Sequence, residues 1–223
     1  LVLTSFPFSV TLAMDIDYNV MTKKKSTKNW LKKHTKDRYV KMSTASRYRS
    51  RAFHKLQEID EKYKVIKSAN SIIDLGASPG SWSEYISRNY KHKKLIAVDQ
   101  IIMEPIEGVR FIHGDINNSK HRDKIRQIIT NADLVLSDIA PNITGIEDVD
   151  QAHFFEIFES ISSICSDFLK VKGILVMKFF NGSLYDLVKK RLNMLFNEIN
   201  TYKPDSSRAR SNEVFFICIG YKD

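Results

Sequence analysis

Lys178 has the surroundings that point most directly to chemistry. It lies within GILVMKFF, residues 173–180, a nearly continuous apolar run that predicts a buried strand. An unpaired ammonium in such a strand is costly, so Lys178 must have partners or a task. The alternative is an edge strand, from which a lysine extends its amine into water.

Three further ionisable residues could act with Lys178. Asp138 ends an apolar strand within ADLVLSDIAPN, although an aspartate there can also be only a turn or cap residue. Lys55 lies on a helical pattern and Glu213 at a strand end, where most such residues are solvated surface. Each of these residues alone is uninformative, and only the set together with Lys178 indicates a catalytic site.

A glycine-punctuated turn organises the chain. In SIIDLGASPGSW, residues 71–82, an apolar strand runs into Gly76 and Gly80 and then into a helix, which predicts a small ligand at this corner. Asp99 ends the next strand, 23 residues after Gly76. An acid at that distance is placed to bind a ribose diol.

The type of ligand follows from a glycine that is missing. The dinucleotide fingerprint G-x-G-x-x-G has a middle glycine that GASPG lacks. A pyrophosphate needs close backbone contact at that point, whereas a ligand with ribose and adenine but no phosphate does not. The turn therefore favours S-adenosylmethionine over NAD.

Alternating strands and helices predict an α/β fold with one core. The strands are predicted at 71–75, 94–100, 109–115, 132–138, 173–180, 198–202 and 213–221. The helices are predicted at 46–64, 83–90, 119–131, 150–171 and 184–196. Ligands of open α/β sheets lie outside the carboxyl ends of the strands, so Asp99 and Asp115 are expected to face the two ends of an adenosine.

The positive charge is local. Residues 21–55 hold thirteen Lys or Arg and one acid, Asp37. The net charge of this segment alone therefore exceeds the net charge of +9 of the whole chain. We expect residues 1–36 to be a flexible basic leader and residues 37–223 to be one catalytic domain. The leader could be a solvated tail, an RNA-binding arm or an organelle transit peptide. Where it meets SRYRSRAFHKL, arginines beside aromatics favour phosphate contact with stacking.

Composition excludes several classes of protein. Cys165 and Cys218 lie in apolar patterns and are expected to be core thiols, which fits an intracellular setting in the cytoplasm, nucleus or an organelle such as the mitochondrion. The six histidines show no ligand spacing, so no metal site is expected. No apolar run is long enough to span a membrane.

The chain resembles the FtsJ/RrmJ family of S-adenosylmethionine-dependent ribose 2′-O-methyltransferases. The resemblance covers roughly residues 37–222 and rests on RSRAFHKL, DLGASPGSW, SDIAPNITG, VMKFF and KPDSSRARSNEVF, in family order. It implies a Rossmann-like class I methyltransferase fold with a mostly parallel seven-stranded sheet, an antiparallel last strand and helices on both faces. Ser81 departs from the family pattern, since many members have a second glycine there.

The resemblance also implies roles for individual residues. The family's catalytic tetrad falls on Lys55, Asp138, Lys178 and Glu213. Its methyl-donor pocket falls on Gly76, Ser78, Pro79, Gly80, Ser81, Trp82, Asp99, Asp115 and Asp138. RNA contacts are expected from Arg47, Arg49, Arg51, Lys203, Arg208 and Arg210.

These assignments fit the chemistry of ribose methylation. A 2′-hydroxyl is a poor nucleophile and must lose its proton as it attacks the methyl group, with Lys178 as the base. The neutral amine is favoured by the nearby cation Lys55 and opposed by Asp138. Glu213 would orient Lys55 and the ribose.

The loop and turn motifs look like those of the ribosomal RNA branch of the family. The expected substrate is therefore a ribose, of a uridine, in ribosomal RNA of the large subunit, methylated by a monomer. Three alternatives are a transfer RNA methyltransferase of the same family, a non-catalytic RNA-binding factor and an NAD-dependent oxidoreductase.

Overall fold

Strands and helices alternate along the chain in a computed structural model that describes residues 48–141, 144–208 and 211–222. The strands are β1 (Ser71–Leu75), β2 (Lys94–Asp99), β3 (Val109–His113), β4 (Ala132–Ser137), β5 (Leu169–Phe180), β6 (Phe196–Tyr202) and β7 (Glu213–Tyr221). The helices of the described residues are α1 (Ala52–Tyr63), α2 (Ser81–Asn89), α3 (Ser119–Arg126), α4 (Glu147–Phe168) and α5 (Tyr185–Leu195). The predicted leader, residues 1–36, lies outside the described residues.

One seven-stranded sheet has the strand order β3-β2-β1-β4-β5-β7-β6. The pairs from β3 to β5 are parallel, while β7 runs antiparallel to both of its neighbours, β5 and β6. This arrangement confirms the predicted α/β fold with a mostly parallel sheet and an antiparallel last strand. The carboxyl ends of β1, β2 and β4 meet at one edge of the sheet.

Two hydrophobic clusters cover the two faces of the sheet. On β5, Met177 packs with helices α3, α4 and α5, whereas Val176 packs with α1 and α2. On β7, Phe216 and Phe215 divide in the same way. Because successive side chains of a strand alternate between faces, Lys178 lies on the Val176 face, toward α1.

The main differences from the predicted elements lie at element ends. Helix α1 was expected from residue 46, but it begins at Ala52, because residues 49 and 50 bond instead to α2 through Glu84 and Ser81. Strand β5 begins at Leu169, four residues before the predicted start. A register shift against β4 between Ala132 and Leu134 accommodates this extension.

Both cysteines, Cys165 and Cys218, are free thiols within the hydrophobic cluster under α4 and α5. Burial raises the pKa of both thiols above the ordinary value. Among the described helices, none is both long and apolar enough to cross a membrane.

Candidate active site

Lys178 is paired with Asp138 at the carboxyl edge of the sheet. The Nζ atom of Lys178 donates a hydrogen bond to the main-chain oxygen of Asp138 at 2.5 Å and lies 3.0 Å from its Oδ1 atom. The Lys178 side chain is only 8% exposed. Oδ1 is buried and accepts no well-directed hydrogen bond within the described residues, so its contact with Lys178 is mainly electrostatic. The predicted partner of the buried ammonium is therefore present.

Lys55 and Glu213 form a second ion pair, across 158 residues of sequence. The Lys55 Nζ atom lies 2.7 Å from Glu213 Oε1 and 2.8 Å from Oε2, and both side chains are nearly buried. Ser207 donates a further hydrogen bond to Oε1 at 2.8 Å. The Lys55 ammonium also lies 5.7 Å from the centre of the Phe215 ring, a distance typical of a cation–π contact.

Strand register brings the two ion pairs together. In the antiparallel pair of β5 and β7, Lys178 faces Phe215 and Phe180 faces Glu213. Lys178 and Glu213 are thus diagonal neighbours on one face, a separation that a long side chain can reach. Lys55 projects from α1, which covers that same face.

The charge of Glu213 depends on these neighbours. Burial alone would raise the pKa of Glu213, but the attraction of Lys55, hydrogen bonds from Lys55 and Ser207 and the charge of Lys178 together hold it below its ordinary value. Glu213 is therefore a carboxylate at neutral pH. It fixes the position of the Lys55 ammonium beside Lys178.

A cavity of about 500 Å³ opens beside Asp138 and is large enough for a small ligand. Four of the predicted donor-binding residues line it: Gly76, Ser78, Asp99 and Asp138. The remaining lining residues are Val98, Gln100, Ile101, Gly114, Ile116, Ile139, Ala140, Pro141 and Ile157. Acidic groups and aliphatic side chains thus share one cavity, as a nucleoside requires.

Asp99 organises two walls of this cavity. Its Oδ2 atom accepts a hydrogen bond from the Ser78 N–H at 2.8 Å, and its Oδ1 atom accepts one from the Ile101 N–H at 2.7 Å. Each carboxylate oxygen can accept a second hydrogen bond, so the group can still bind hydroxyls of a ligand.

Both glycines of the turn are required by their own surroundings. Gly76 has a φ of +69°, and a Cβ atom there would lie 2.5 Å from a side-chain atom of Ile139. Gly80 has a φ of +103°, and its Cβ atom would lie 2.7 Å from Ile106. The sequence predicts that these glycines make room for a ligand, whereas the side chains of Ile139 and Ile106 occupy the nearby space.

In the part of the chain that the structure describes, the other predicted donor-binding residues do not line this cavity. Ser81 and Trp82 are buried against the start of α1 and the residues before it. Ser81 Oγ lies 2.6 Å from Ser50 Oγ, and Trp82 Nε1 donates to the Ala52 oxygen at 2.9 Å. Pro79 lines a neighbouring open depression, and Gly80 packs against Ile106 and Met103. Asp115 lies between two lining residues, and its Oδ1 atom accepts from the Asn117 N–H at 2.8 Å.

Of the six predicted RNA-contacting residues, three donate hydrogen bonds within the protein. Arg49 and Arg51 donate to main-chain oxygens of other segments, and Lys203 donates to the Ser211 oxygen at 2.9 Å. Arg208 is exposed. Arg47 and Arg210 lie outside the described residues.

Several contributors to the site were not predicted from the sequence, and Glu58 and Ile157 are two of them. The Glu58 carboxylate accepts the N–H groups of Asp205 and Ser206 at 2.6 and 3.0 Å, which holds the loop that carries Ser207. The spacing of Lys55 and Glu58 on one helix face could have indicated this role. Ile157 lines the cavity from α4, and no local pattern distinguishes it from other apolar residues of that helix.

Asp74 is buried directly beneath the turn. Its Oδ2 atom accepts a hydrogen bond from Ser83 Oγ at 2.7 Å, and it is 1% exposed. Burial raises the pKa of Asp74 from 3.8 to about 7, against the opposing effect of the Ser83 hydrogen bond. The folded protein therefore retains a proton here that the unfolded chain has already lost above pH 3.8.

We expect the Asp74 proton to make stability depend on pH. Between pH 5 and 7 the folded state binds more protons at this position, so its contribution to the free energy of unfolding falls as pH rises, by at most about 1.4 kcal/mol per pH unit. Asp74→Asn keeps an acceptor for Ser83 and cannot ionise. Urea unfolding should show the variant gaining stability relative to the wild type from pH 5 to 7. A difference that is constant with pH, as expected for the exposed control Asp123→Asn, would contradict this prediction.

No cluster of three or more metal-ligating side chains occurs among the residues that the structure describes.

Comparison with known proteins gives consistent matches over nearly the whole described region. The sequence model of the FtsJ-like methyltransferases matches residues 48–221. A protein of Pelagibacter ubique named ribosomal RNA large subunit methyltransferase E is 41% identical over 199 residues, covering 89% of this chain and 98% of its own length. A protein of the same name from Marinobacter nauticus is 40% identical, with coverages of 91% and 99%.

Solved structures show the same relationship. A crystal structure described as a ribosomal RNA methyltransferase from Plasmodium falciparum superimposes with a TM-score of 0.69 at 32% identity, over 78% of this chain and 98% of that one. The pre-rRNA processing protein fibrillarin from Methanococcus jannaschii has a TM-score of 0.52 at 17% identity, over 73% and 71%, which is a similarity of fold alone.

Proposed function

Because the chain belongs to the FtsJ-like methyltransferase family, we propose that this enzyme methylates the 2′-hydroxyl of a ribose in large-subunit ribosomal RNA, at a uridine, with S-adenosylmethionine as the donor. The relatives named above act on large-subunit ribosomal RNA by their names, which supports this class of substrate. The observation that supports ribose methylation is the presence of two ion pairs, Lys178 with Asp138 and Lys55 with Glu213.

The cavity beside Asp138 suits the proposed donor. Asp99 offers acceptor capacity for a ribose diol, and Ile101, Ile139 and Ile157 offer apolar contact for a purine. When bound, S-adenosylmethionine supplies a methyl group on a positively charged sulfur. Asp138 both lines this cavity and holds Lys178, so the donor cavity and the proposed base adjoin.

Lys178 is proposed to remove the proton of the 2′-hydroxyl. Its Nζ atom is fixed by both the main-chain oxygen and the carboxylate of Asp138, which limits its orientation. Lys55, held by Glu213, places a second cation at the site. Positioning of the hydroxyl by these groups would contribute the rest of the rate acceleration.

We propose that the basic residues before α1 contribute RNA affinity. Residues 1–36 would form a basic leader and residues 37–223 the catalytic domain. Ten Lys or Arg between residues 21 and 47 provide the charge that phosphate contacts require. Arg208, which is exposed in the loop that carries Ser207, would add a phosphate contact from the catalytic domain.

The proposed function is tested by methylation of defined RNAs. Purified protein and radiolabelled S-adenosylmethionine are incubated with protein-free large-subunit ribosomal RNA, assembled large subunits, small-subunit ribosomal RNA and transfer RNA. Nuclease digestion and mass spectrometry then locate the product. We expect a single 2′-O-methyluridine in the large-subunit RNA, free or assembled.

A chemical control separates ribose from base methylation. An RNA with 2′-deoxyuridine at the mapped position should accept no label, since it lacks the attacking oxygen. Label in the transfer RNA alone, or on a base, would overturn the proposed substrate.

A further inference from the structure

The segment that precedes α1, together with the first residue of α1, is bonded to the start of α2. The Arg49 N–H donates to Glu84 Oε2 at 2.9 Å, Ser50 Oγ lies 2.6 Å from Ser81 Oγ, and the Ala52 oxygen accepts from Trp82 Nε1 at 2.9 Å. These contacts join residues 49–52 to residues 81–84, so the segment lies along the first turn of the helix that follows the glycine turn. The side chain of Arg49 is thereby placed next to the turn.

The guanidinium of Arg49 joins two separate loops. It donates to the Pro79 oxygen in the turn at 3.0 Å and to the Glu104 and Pro105 oxygens at 2.7 Å each. Glu104 and Pro105 belong to the loop between β2 and β3. Arginine is suited to this arrangement because its planar guanidinium carries five N–H donors in a fixed geometry.

Both of these loops carry walls of the donor cavity. Ser78 precedes Pro79, and Ile101 lies at the start of the loop that contains Glu104, and both Ser78 and Ile101 line the cavity. Asp99 links these same two residues on the cavity side through their N–H groups. Arg49 links the same two loops through their carbonyl groups. The two walls are thus joined by the Asp99 carboxylate at one point and by the Arg49 guanidinium at another.

We infer that Arg49 is a positioning residue for the methyl-donor pocket, an assignment that rests on the proposed function. It does not touch the donor, and it sets the distance between the turn and the β2–β3 loop. Three of the five N–H donors of the Arg49 guanidinium serve these carbonyl groups, which leaves two for a phosphate contact, the role expected from the sequence. Because most of its donors join the two loops, we assign Arg49 to the donor pocket first.

Arg49→Ala and Arg49→Lys test this assignment together. We expect both variants to raise the dissociation constant of S-adenosylhomocysteine in calorimetry, and the KM for S-adenosylmethionine, by at least about tenfold, because several bonds from a charged donor are lost. Lysine keeps the charge but lacks the planar fork, so it should not rescue binding. The kcat at saturating donor and the KM for RNA should stay within about twofold, since the Lys178 site is untouched.

Three outcomes would overturn the inference. Unchanged donor affinity with weaker RNA binding in Arg49→Ala, restored by Arg49→Lys, would make Arg49 a phosphate contact. A lower melting temperature and lower kcat with an unchanged donor KM would make it a merely structural residue. Donor affinity as high in Arg49→Lys as in the wild type would show that charge alone matters. Arg191→Ala, which removes an arginine and its ion pair with Glu159 on α4, is the matched control and should leave all four constants unchanged.

These outcomes are distinct from failure of the proposed function. If the wild-type protein itself neither bound S-adenosylhomocysteine nor methylated RNA, the proposed function would fail before any variant was compared.

Discussion

Replacing Lys178 by alanine is expected to lower the single-turnover rate of methyl transfer by about 10²–10⁴-fold, the range that general-base catalysis contributes. The affinity for S-adenosylhomocysteine should change little, because Lys178 is bonded to Asp138 and is not one of the described residues that line the cavity. A loss confined to the chemical step indicates an interaction that matters in the transition state. Rapid-quench measurement with enzyme in excess over RNA gives this rate directly.

Two further variants identify what Lys178 contributes. Lys178→Arg keeps a positive charge beside Asp138 but cannot give up a proton at any accessible pH, so it should be as inactive as the alanine variant if Lys178 is the base. Lys190→Ala, which removes an exposed lysine from α5, is the control and should retain full activity. Retention of more than about a tenth of the wild-type rate by Lys178→Ala would mean that another group accepts the proton.

Replacing Asp99 by alanine should produce the largest loss of donor binding. The expected increase in the dissociation constant of S-adenosylhomocysteine is about 10- to 150-fold, from the loss of charge-assisted hydrogen bonds of about 1.5–3 kcal/mol. The structure adds a second cause. Without the carboxylate, the N–H groups of Ser78 and Ile101 lose the acceptor that holds the two walls of the cavity together.

Asparagine at position 99 distinguishes charge from shape. It can accept a hydrogen bond from only one of the two N–H groups, and its amide would present a donor to the other. We therefore expect Asp99→Asn to lose nearly as much affinity as Asp99→Ala, whereas Asp123→Ala, at an exposed position on α3, should lose none. Wild-type affinity in Asp99→Ala would remove this residue from the pocket.

Local sequence patterns were sufficient for most of the fold. Each predicted strand and helix of the described residues is present, because apolar periodicity and glycine turns act over a few neighbouring residues. The carboxyl ends of β2 and β4 were also predicted to within one residue, and Asp99 and Asp138 were placed at the cavity for that reason. The ends of α1 and β5 were not, since the bonds of Arg49 and Ser50 to α2 and the register shift against β4 come from other elements.

The sequence alone determined that Lys178 needs a partner, since an unpaired ammonium in an apolar strand is too costly. How it is satisfied was decided by tertiary structure, because the pairing of β4 with β5 brings Asp138 to Lys178. In the same way β7, antiparallel beside β5, brings Glu213 to Lys55 from 158 residues away. The same holds for Arg49, which local composition grouped with the RNA-binding arginines. Its three carbonyl partners lie 30 to 56 residues away, on loops whose proximity depends on the order of the strands. Hydrogen-bond geometry of this kind has no local signature, since a guanidinium bonds equally well to a phosphate or to a main-chain oxygen.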